Sequence, residues 1–209
     1  MLKFYDYKLN DFKCFRDDSN ENDSELLSIE IPSFSLDNLK ELSETDRNTI
    51  TYIGGYIAYN LGKGMSCVPC KQILTNSTSL VVENDTMIQE SDIALLHLRD
   101  RGGLKCPSDF IFVMVAAAFL TFNSVKESEQ QKNLFYTPQV ASLLSQLTLS
   151  GINGAYTLPN SNCKCDSRRL AQRVIVRAHN IFLKNFAREN ICTYCPSTDN
   201  KRRKFAVSR

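Results

Sequence analysis

A nearly continuous apolar run, IFVMVAAAFLTF from Ile111 to Phe122, constrains the fold of this chain more than any other stretch. A helix formed by this run would be hydrophobic on every side, so other parts of the chain must surround it. The run is shorter than the roughly 20 apolar residues that a membrane-spanning helix needs. We therefore predict a buried helix from about Asp109 to Lys126, with Ser108 as its N-cap, and no membrane partner.

A second helix is predicted in the segment ITYIGGYIAYNLGK, which precedes this run. Its aliphatic residues recur at the spacing of one helix face, at Ile50, Ile53, Ile57 and Leu61. Gly54 and Ala58 are small and four residues apart, so they would let a neighbouring helix approach closely. Adjacent glycines lower helix propensity by roughly 1 kcal/mol each, so packing must compensate. Gly62 and Gly64 are expected to end the helix.

Two further helices and one weak β signal complete the fold prediction. A helix is expected over about residues 137–150, with proline at its first position, and a last helix over about residues 166–189. Residues 78–83, TSLVVE, alternate weakly and are rich in β-branched side chains. We therefore predict a mainly α fold with at most a short strand pair around residues 78–100.

Charge is distributed unevenly along the 209 residues. Residues 1–50 carry twelve Asp and Glu against six Lys and Arg, whereas residues 163–209 carry twelve Lys and Arg against three acids. The basic end indicates an anionic partner, although a solvated basic face is the plain alternative. We divide the chain into an acidic, partly disordered segment at 1–44, a helical domain at 45–191 and a basic flexible tail at 192–209.

The eight cysteines indicate a metal site rather than disulfides. The opening residues, MLKFYDYKLNDFK, lack the apolar segment of a secretory signal, so we expect a reducing compartment, where closely spaced cysteines more often bind metal. Cys67-Val-Pro-Cys70 has zinc-knuckle spacing, with two thiolates on one turn. Structural zinc takes four ligands, and Cys163 and Cys165 are the expected second pair. The sequence thus predicts one zinc ion that staples the domain.

Other interpretations of these residues stay open. Cys192 and Cys195 form a competing pair near the end of the chain. The cysteines could also be buried thiols in a reduced core, whereas a redox pair would need a βαβ setting that does not surround Cys67. We expect His179 to be a core histidine more than a zinc ligand, and we assign no role to His97.

The last helix is predicted to combine an apolar face with a row of cations. At about 100° per residue, five basic side chains fall on one stripe: Arg169, Arg173, Arg177, Lys184 and Arg188. Guanidinium groups bind phosphate through paired hydrogen bonds, and such contacts position DNA without reading its sequence. A nuclear localisation signal or a phosphate-binding tail is indicated by the run Lys201, Arg202, Arg203 and Lys204.

Three motifs occur in a fixed order along the chain. They are ITYIGGYIAYNLGK followed by CVPC, then LLHLRDRGGLKCPSD, then RAHNIFLKNF in the basic terminal helix. In combination they resemble the C-terminal region of P-element-type DNA transposases and their domesticated, THAP-associated relatives, over about residues 45–190. Gly54 stands where alanine is usual in that family, which exchanges one small residue for another.

The resemblance implies a nuclear enzyme that cuts and joins DNA, with an RNase H-like core, three metal-binding carboxylates and a guanine-nucleotide-binding insertion. In that family these parts lie upstream of the matching region. Residues 1–45 show neither THAP-type zinc-finger spacing nor an alternating strand with a catalytic aspartate, and two-metal chemistry needs several converging carboxylates. We therefore nominate no catalytic residue and expect no catalysis by this chain alone.

The resemblance and the basic helix together predict a transposase-derived nuclear module. This module would contact the DNA backbone through its C-terminal helix, lack a catalytic core of its own, and associate with other transposase-derived chains. Two alternatives stay open. One is a fragment of an active P-element-type transposase that works with other segments or chains, and the other is a zinc-stapled protein-interaction module with no DNA role.

Overall fold

The computed structural model describes residues 35–75, 88–100, 103–128, 135, 139–152, 156, 163 and 165–194. These residues form seven helices and no strand: α1 (Leu36–Lys40), α2 (Glu44–Lys63), α3 (Val68–Leu74), α4 (Glu90–Arg99), α5 (Asp109–Glu127), α6 (Val140–Ile152) and α7 (Ser167–Tyr194). One antiparallel bridge joins Thr75 to Pro107. The mainly α prediction is confirmed, while the β signal at 78–83, the segment 1–34 and the tail from 195 lie outside the described residues.

Helix α5 forms the centre of the fold. The Ser108 hydroxyl accepts a hydrogen bond from the Ile111 amide and caps the helix as predicted. Buried side chains cover all sides of α5, because α2, α6 and α7 pack around it. By length and composition this helix could cross a membrane, but 67% of its apolar window is buried inside the fold. The prediction of a buried central helix is confirmed.

The two glycines in the middle of α2 permit close packing on both sides of that helix. A Cβ at Gly54 would lie 3.1 Å from Ile111 Cγ2 of α5, and a Cβ at Gly55 would lie 2.6 Å from the Lys105 carbonyl oxygen. The close approach expected at Gly54 is therefore observed, and the approach at Gly55 is tighter still. Gly64 is the C-cap, whereas Gly62 remains inside the helix with open space beside it.

A buried ion pair joins α2 to α4. The Arg47 guanidinium donates to both oxygens of Asp92, at 3.1 and 2.6 Å, and to the Leu39 carbonyl at 3.4 Å. Asp92 also accepts from the Gln89 amide at 2.8 Å, and so caps the helix that contains it. Arg47 lies over the Phe112 ring of α5, 5.2 Å from its centroid. Residues 90–99, which fall within the region 78–100 of the predicted strand pair, are helical and form α4.

A second buried polar group links α5, α6 and α7. Thr148 Oγ1 lies 3.0 Å from Thr121 Oγ1 and 2.9 Å from His179 Nε2, and it also donates to the Leu144 carbonyl at 2.7 Å. Thr148 and His179 therefore share one hydrogen bond, whose donor depends on the tautomer of the imidazole ring. Burial lowers the pKa of His179 to about 3, which keeps the ring neutral. The expectation of a core histidine is confirmed.

The glycines of α2 provide a matched pair of substitutions. Gly55→Ala should destabilise the fold by about 1–3 kcal/mol, because the new methyl group meets the backbone oxygen of Lys105. Gly62→Ala should stabilise it by roughly 0.5–1 kcal/mol, because alanine favours the helix and the methyl group meets nothing. Urea denaturation of both variants measures these changes, and a stable Gly55→Ala protein would contradict the packing of α2 on the 103–108 segment.

His179 should make stability depend on pH. The folded state keeps the ring neutral, whereas the unfolded state takes a proton below a pKa of about 6.5. This contribution is complete above that pH and is lost as the pH falls toward 3, by about 2 kcal/mol at pH 5. His179→Gln retains a donor for Thr148 but does not titrate. Its unfolding free energy should therefore fall less than that of the wild type between pH 7.5 and pH 5, and equal losses would contradict the neutral buried ring.

Candidate metal centre and basic helix

The first cysteine pair opens helix α3. Cys67 is the N-cap, with extended backbone and no side-chain capping bond, and a proline follows in the first turn. The Lys71 amide donates to the Cys67 carbonyl at 3.1 Å, so Cys67 and Cys70 belong to one tight turn. The far end of α3 is attached to the start of α5, because the Ser108 amide donates to the Leu74 carbonyl at 3.3 Å.

The second cysteine pair stands at the start of α7. Cys165 is followed by Asp166, whose carboxylate accepts from the Arg168 amide at 2.9 Å and whose carbonyl accepts from the Leu170 amide. Asp166 therefore caps α7, which begins at Ser167, one residue after the predicted start. Since the Cys-x-Cys pair directly precedes this cap, any ligand held by Cys163 and Cys165 is held at the base of α7.

The structure brings the four predicted cysteines together. Their sulfurs all lie within 4.8 Å of one another, and the Sγ atoms of Cys70 and Cys163 are 3.5 Å apart. A disulfide requires about 2.05 Å, so these sulfurs are not bonded to each other. Four thiolates around a tetrahedral zinc ion, each at about 2.3 Å, would lie about 3.8 Å apart. This cysteine cluster (Cys67, Cys70, Cys163 and Cys165) therefore fits a four-coordinate soft metal ion.

Burial and mutual hydrogen bonds raise the pKa of two thiols in the cysteine cluster. Cys70 is 2% exposed, and burial is the main reason that its thiol pKa is raised, followed by the hydrogen bond with Cys163. The exposed Cys165 has a raised pKa chiefly through its hydrogen bond with Cys163. These shifts apply to neighbouring thiols without a cation. A bound metal ion deprotonates a coordinating thiol outright, so binding would release protons and would weaken as the pH falls.

The other candidate ligands that the structure describes lie away from the cysteine cluster. Cys192 belongs to the last turns of α7, and a helix of 28 residues is about 42 Å long, so its backbone lies far from the cluster at the first turn. The position of Cys195 is outside the described residues. His179 is in the core beside Thr148, and His97 is exposed in the last turn of α4.

Helix α7 separates an apolar face from a basic one. Its buried residues pack on α5 and α6, while four of the five predicted cations are exposed: Arg169, Arg173, Lys184 and Arg188. Arg177 is partly buried, and desolvation is the main cause of its lowered pKa, followed by the charge of Arg173. Arg169 also lies 3.8 Å from Asp166, where both side chains are largely exposed. The run Lys201 to Lys204 lies outside the described residues.

Sequence reasoning missed two features of the structure. The Arg47–Asp92 ion pair joins positions 45 residues apart, and no local pattern connects them. The outward face of α2 carries three partly exposed tyrosines, Tyr52, Tyr56 and Tyr59. Their spacing of i, i+4 and i+7 was visible in the sequence, but only packing shows which face of α2 they occupy.

Comparison with known proteins identifies one family. A protein-family model, described as the C-terminal domain of the DNA transposase THAP9, matches residues 39–163 of this chain, which is more than half of it. The matched region begins near the end of α1, spans α2 to α6 and reaches Cys163, but it ends before Cys165 and α7. No curated protein and no solved structure matched the chain.

Proposed function

We propose, since this chain belongs to the family of the THAP9 DNA transposase C-terminal domain, that it is a transposase-derived nuclear module that contacts the DNA backbone through α7. The observation that carries the DNA contact is the row of exposed cations on that helix. The opposite face of α7 is packed on α5 and α6, so the backbone positions of these cations are fixed by the core.

The electrostatics of α7 favour an anionic partner. Its first turn carries Arg168 and Arg169 and no acidic residue, so the capping Asp166 supplies a single carboxylate beside these two guanidinium groups. Cations are normally disfavoured at this end of a helix, because the macrodipole is positive there. A polyanion offsets that repulsion, since phosphates are attracted both by the guanidinium groups and by the helix dipole.

The spacing of the exposed cations along α7 suits a nucleic-acid backbone. Arg169 and Arg188 are separated by about 28 Å along the helix axis. Phosphates repeat every 3.4 Å along each strand of a duplex, so several can be reached at once. Such contacts position a duplex and carry little sequence preference. The run Lys201 to Lys204 would add phosphate contacts and serve as the nuclear localisation signal.

Zinc bound by the cysteine cluster is the second part of the proposal. The four thiols come from two segments that are 93 residues apart between Cys70 and Cys163, so an ion would join α3 to the base of α7. A site with four protein thiolates has no open coordination position, and its role would be structural. The ion would thereby hold the first turn of α7, with its cations, against the α3–α5 junction.

The third part of the proposal is that this chain does not itself cleave or join DNA. It rests on the sequence, in which no set of converging carboxylates can be nominated for two-metal chemistry. Other transposase-derived chains are the partners that we propose for the catalytic steps.

Removal of two cations should weaken DNA binding in a salt-dependent way. Arg173→Gln combined with Lys184→Gln should reduce the slope of log affinity against log salt by up to about 2, because each phosphate contact contributes about 0.9. The loss should be similar for duplexes of unrelated sequence. Fluorescence anisotropy across a salt series measures both effects.

The matched control is Arg99→Gln combined with Lys105→Gln. It removes one exposed arginine and one exposed lysine from outside α7, and so changes the net charge equally. Its salt slope should stay close to that of the wild type. Equal slopes for the two double variants, both folded by thermal melting, would show that α7 is not the DNA-binding face.

Zinc binding should require the cysteines of the cysteine cluster. The purified chain should contain one equivalent of zinc, and Cys67→Ser and Cys163→Ser should each lower that content sharply. Cys106→Ser is the matched control, because Cys106 is a described cysteine outside the cluster. Elemental analysis after dialysis provides the measurement. Zinc that is absent from the wild type, or unchanged in Cys163→Ser, would contradict the assignment.

A further inference from the structure

The cysteine cluster contains a close contact between sulfurs of its two segments. The Sγ atoms of Cys70 and Cys163 are 3.5 Å apart, whereas a disulfide bond is about 2.05 Å long. The two sulfurs therefore need to approach each other by roughly 1.5 Å, which is within the reach of side-chain rotation about the Cα–Cβ bond. A bond between them would join the first turn of α3 to the base of α7.

The members of the cysteine cluster differ in their access to solvent. Cys70 is 2% exposed, Cys67 and Cys163 are partly exposed, and Cys165 is exposed. A small oxidant in solution therefore reaches the sulfur of Cys163 but not that of Cys70. The buried thiol takes part only as the second partner, which attacks a sulfur that has already been oxidised. An accessible cysteine beside a second one that resolves it is the usual arrangement of a redox-sensing pair.

We propose that Cys70 and Cys163 form a reversible disulfide when a hydroperoxide oxidises the cysteine cluster, and that this bond replaces the zinc ion as the link between α3 and α7. The inference rests on the proposed zinc site and adds an oxidised state to it. Disulfides of proteins in a reducing compartment are usually transient and sense the redox state, so a metal site and a reversible disulfide are compatible.

The oxidation consists of two displacements. The Cys163 thiolate attacks one oxygen of hydrogen peroxide, the O–O bond breaks, and Cys163 becomes a sulfenic acid while the departing hydroxide takes up a proton to form water. The Cys70 thiolate then attacks the sulfenic sulfur, the S–S bond forms, and the second hydroxide leaves and is protonated to water. The two sulfurs lose two electrons, which the peroxide gains. Because structural zinc takes four ligands and two are consumed, the ion is released.

The disulfide would preserve the tertiary link that the zinc ion provides. Its two cysteines are 93 residues apart in sequence, and a cross-link that closes a long loop restricts the unfolded chain strongly. A bond within one segment, from Cys67 to Cys70 or from Cys163 to Cys165, would close only a few residues and leave α3 and α7 unlinked. The pair between the segments therefore keeps the base of α7 attached when the metal is lost.

The experiment treats the zinc-loaded chain with increasing amounts of hydrogen peroxide. A chromogenic chelator measures the zinc released, and mass spectrometry of alkylated peptides identifies the cysteine pairs. We expect a cross-linked peptide that contains Cys70 and Cys163, with about one equivalent of zinc released for each bond formed. Dithiothreitol should restore both thiols. The oxidised chain should melt at least about 5 °C above the reduced chain from which zinc has been removed.

Three variants test the pairing, while the mapping of the wild-type chain stands without them. Cys70→Ser should lose the cross-link, whereas Cys165→Ser retains both members of the pair and should still form it. Cys106→Ser is the matched control, because Cys106 is a described cysteine outside the cysteine cluster, and it should behave as the wild type.

The remaining outcomes separate this inference from the zinc proposal. A cross-link between Cys70 and Cys163 in a chain that is purified without zinc would refute the zinc site and still support the disulfide. Zinc release with bonds confined to single segments, or with Cys165 oxidised to a sulfinic acid and no disulfide, would retain the zinc site and overturn the inference. A cross-linked chain that melts with the zinc-free reduced chain would overturn the claim that the bond replaces the ion.

Discussion

The need to bury α5 on every side determines the rest of the architecture. From Phe110 to Leu120 every residue of this helix is apolar, so α2, α6 and α7 must each contribute an apolar face to cover it. That requirement orients α7, because only one of its faces is apolar, and its cations must then point away from the core. The proposed DNA-contacting surface of α7 is thus a consequence of how the core is closed.

Polar groups inside the fold fix the positions that apolar packing leaves free. The Arg47–Asp92 pair holds α2 and α4 in one register, and removal of one partner would leave an unpaired buried charge. The Thr148–His179 contact holds α6 and α7 beside α5. Apolar side chains tolerate small shifts of one helix along another, whereas directional bonds of this kind do not.

The cysteine cluster lies at the junction of α3, α5 and α7. Cys163 and Cys165 directly precede α7, and Cys67 and Cys70 open the short helix α3, whose end is bonded to the start of α5. Short helices contribute little stability on their own, so a metal ion at this junction would add a constraint that α3 cannot supply. The family match ends at Cys163, which places the boundary of the matched domain within this cluster.

The sequence by itself determined four of the helices, α2, α5, α6 and α7, and the candidate ligands, because both depend on local spacing. The period of α2, the cap at Ser108, the cation stripe of α7 and the Cys-x-x-Cys pair are all read within a few residues of one another. The tertiary structure alone decided which distant groups meet. It brought Cys70 to Cys163, paired Arg47 with Asp92, and placed His179 in the core rather than at the cysteines. Contacts between residues far apart in sequence form because several helices must pack around α5. This requirement cannot be seen in any local sequence pattern.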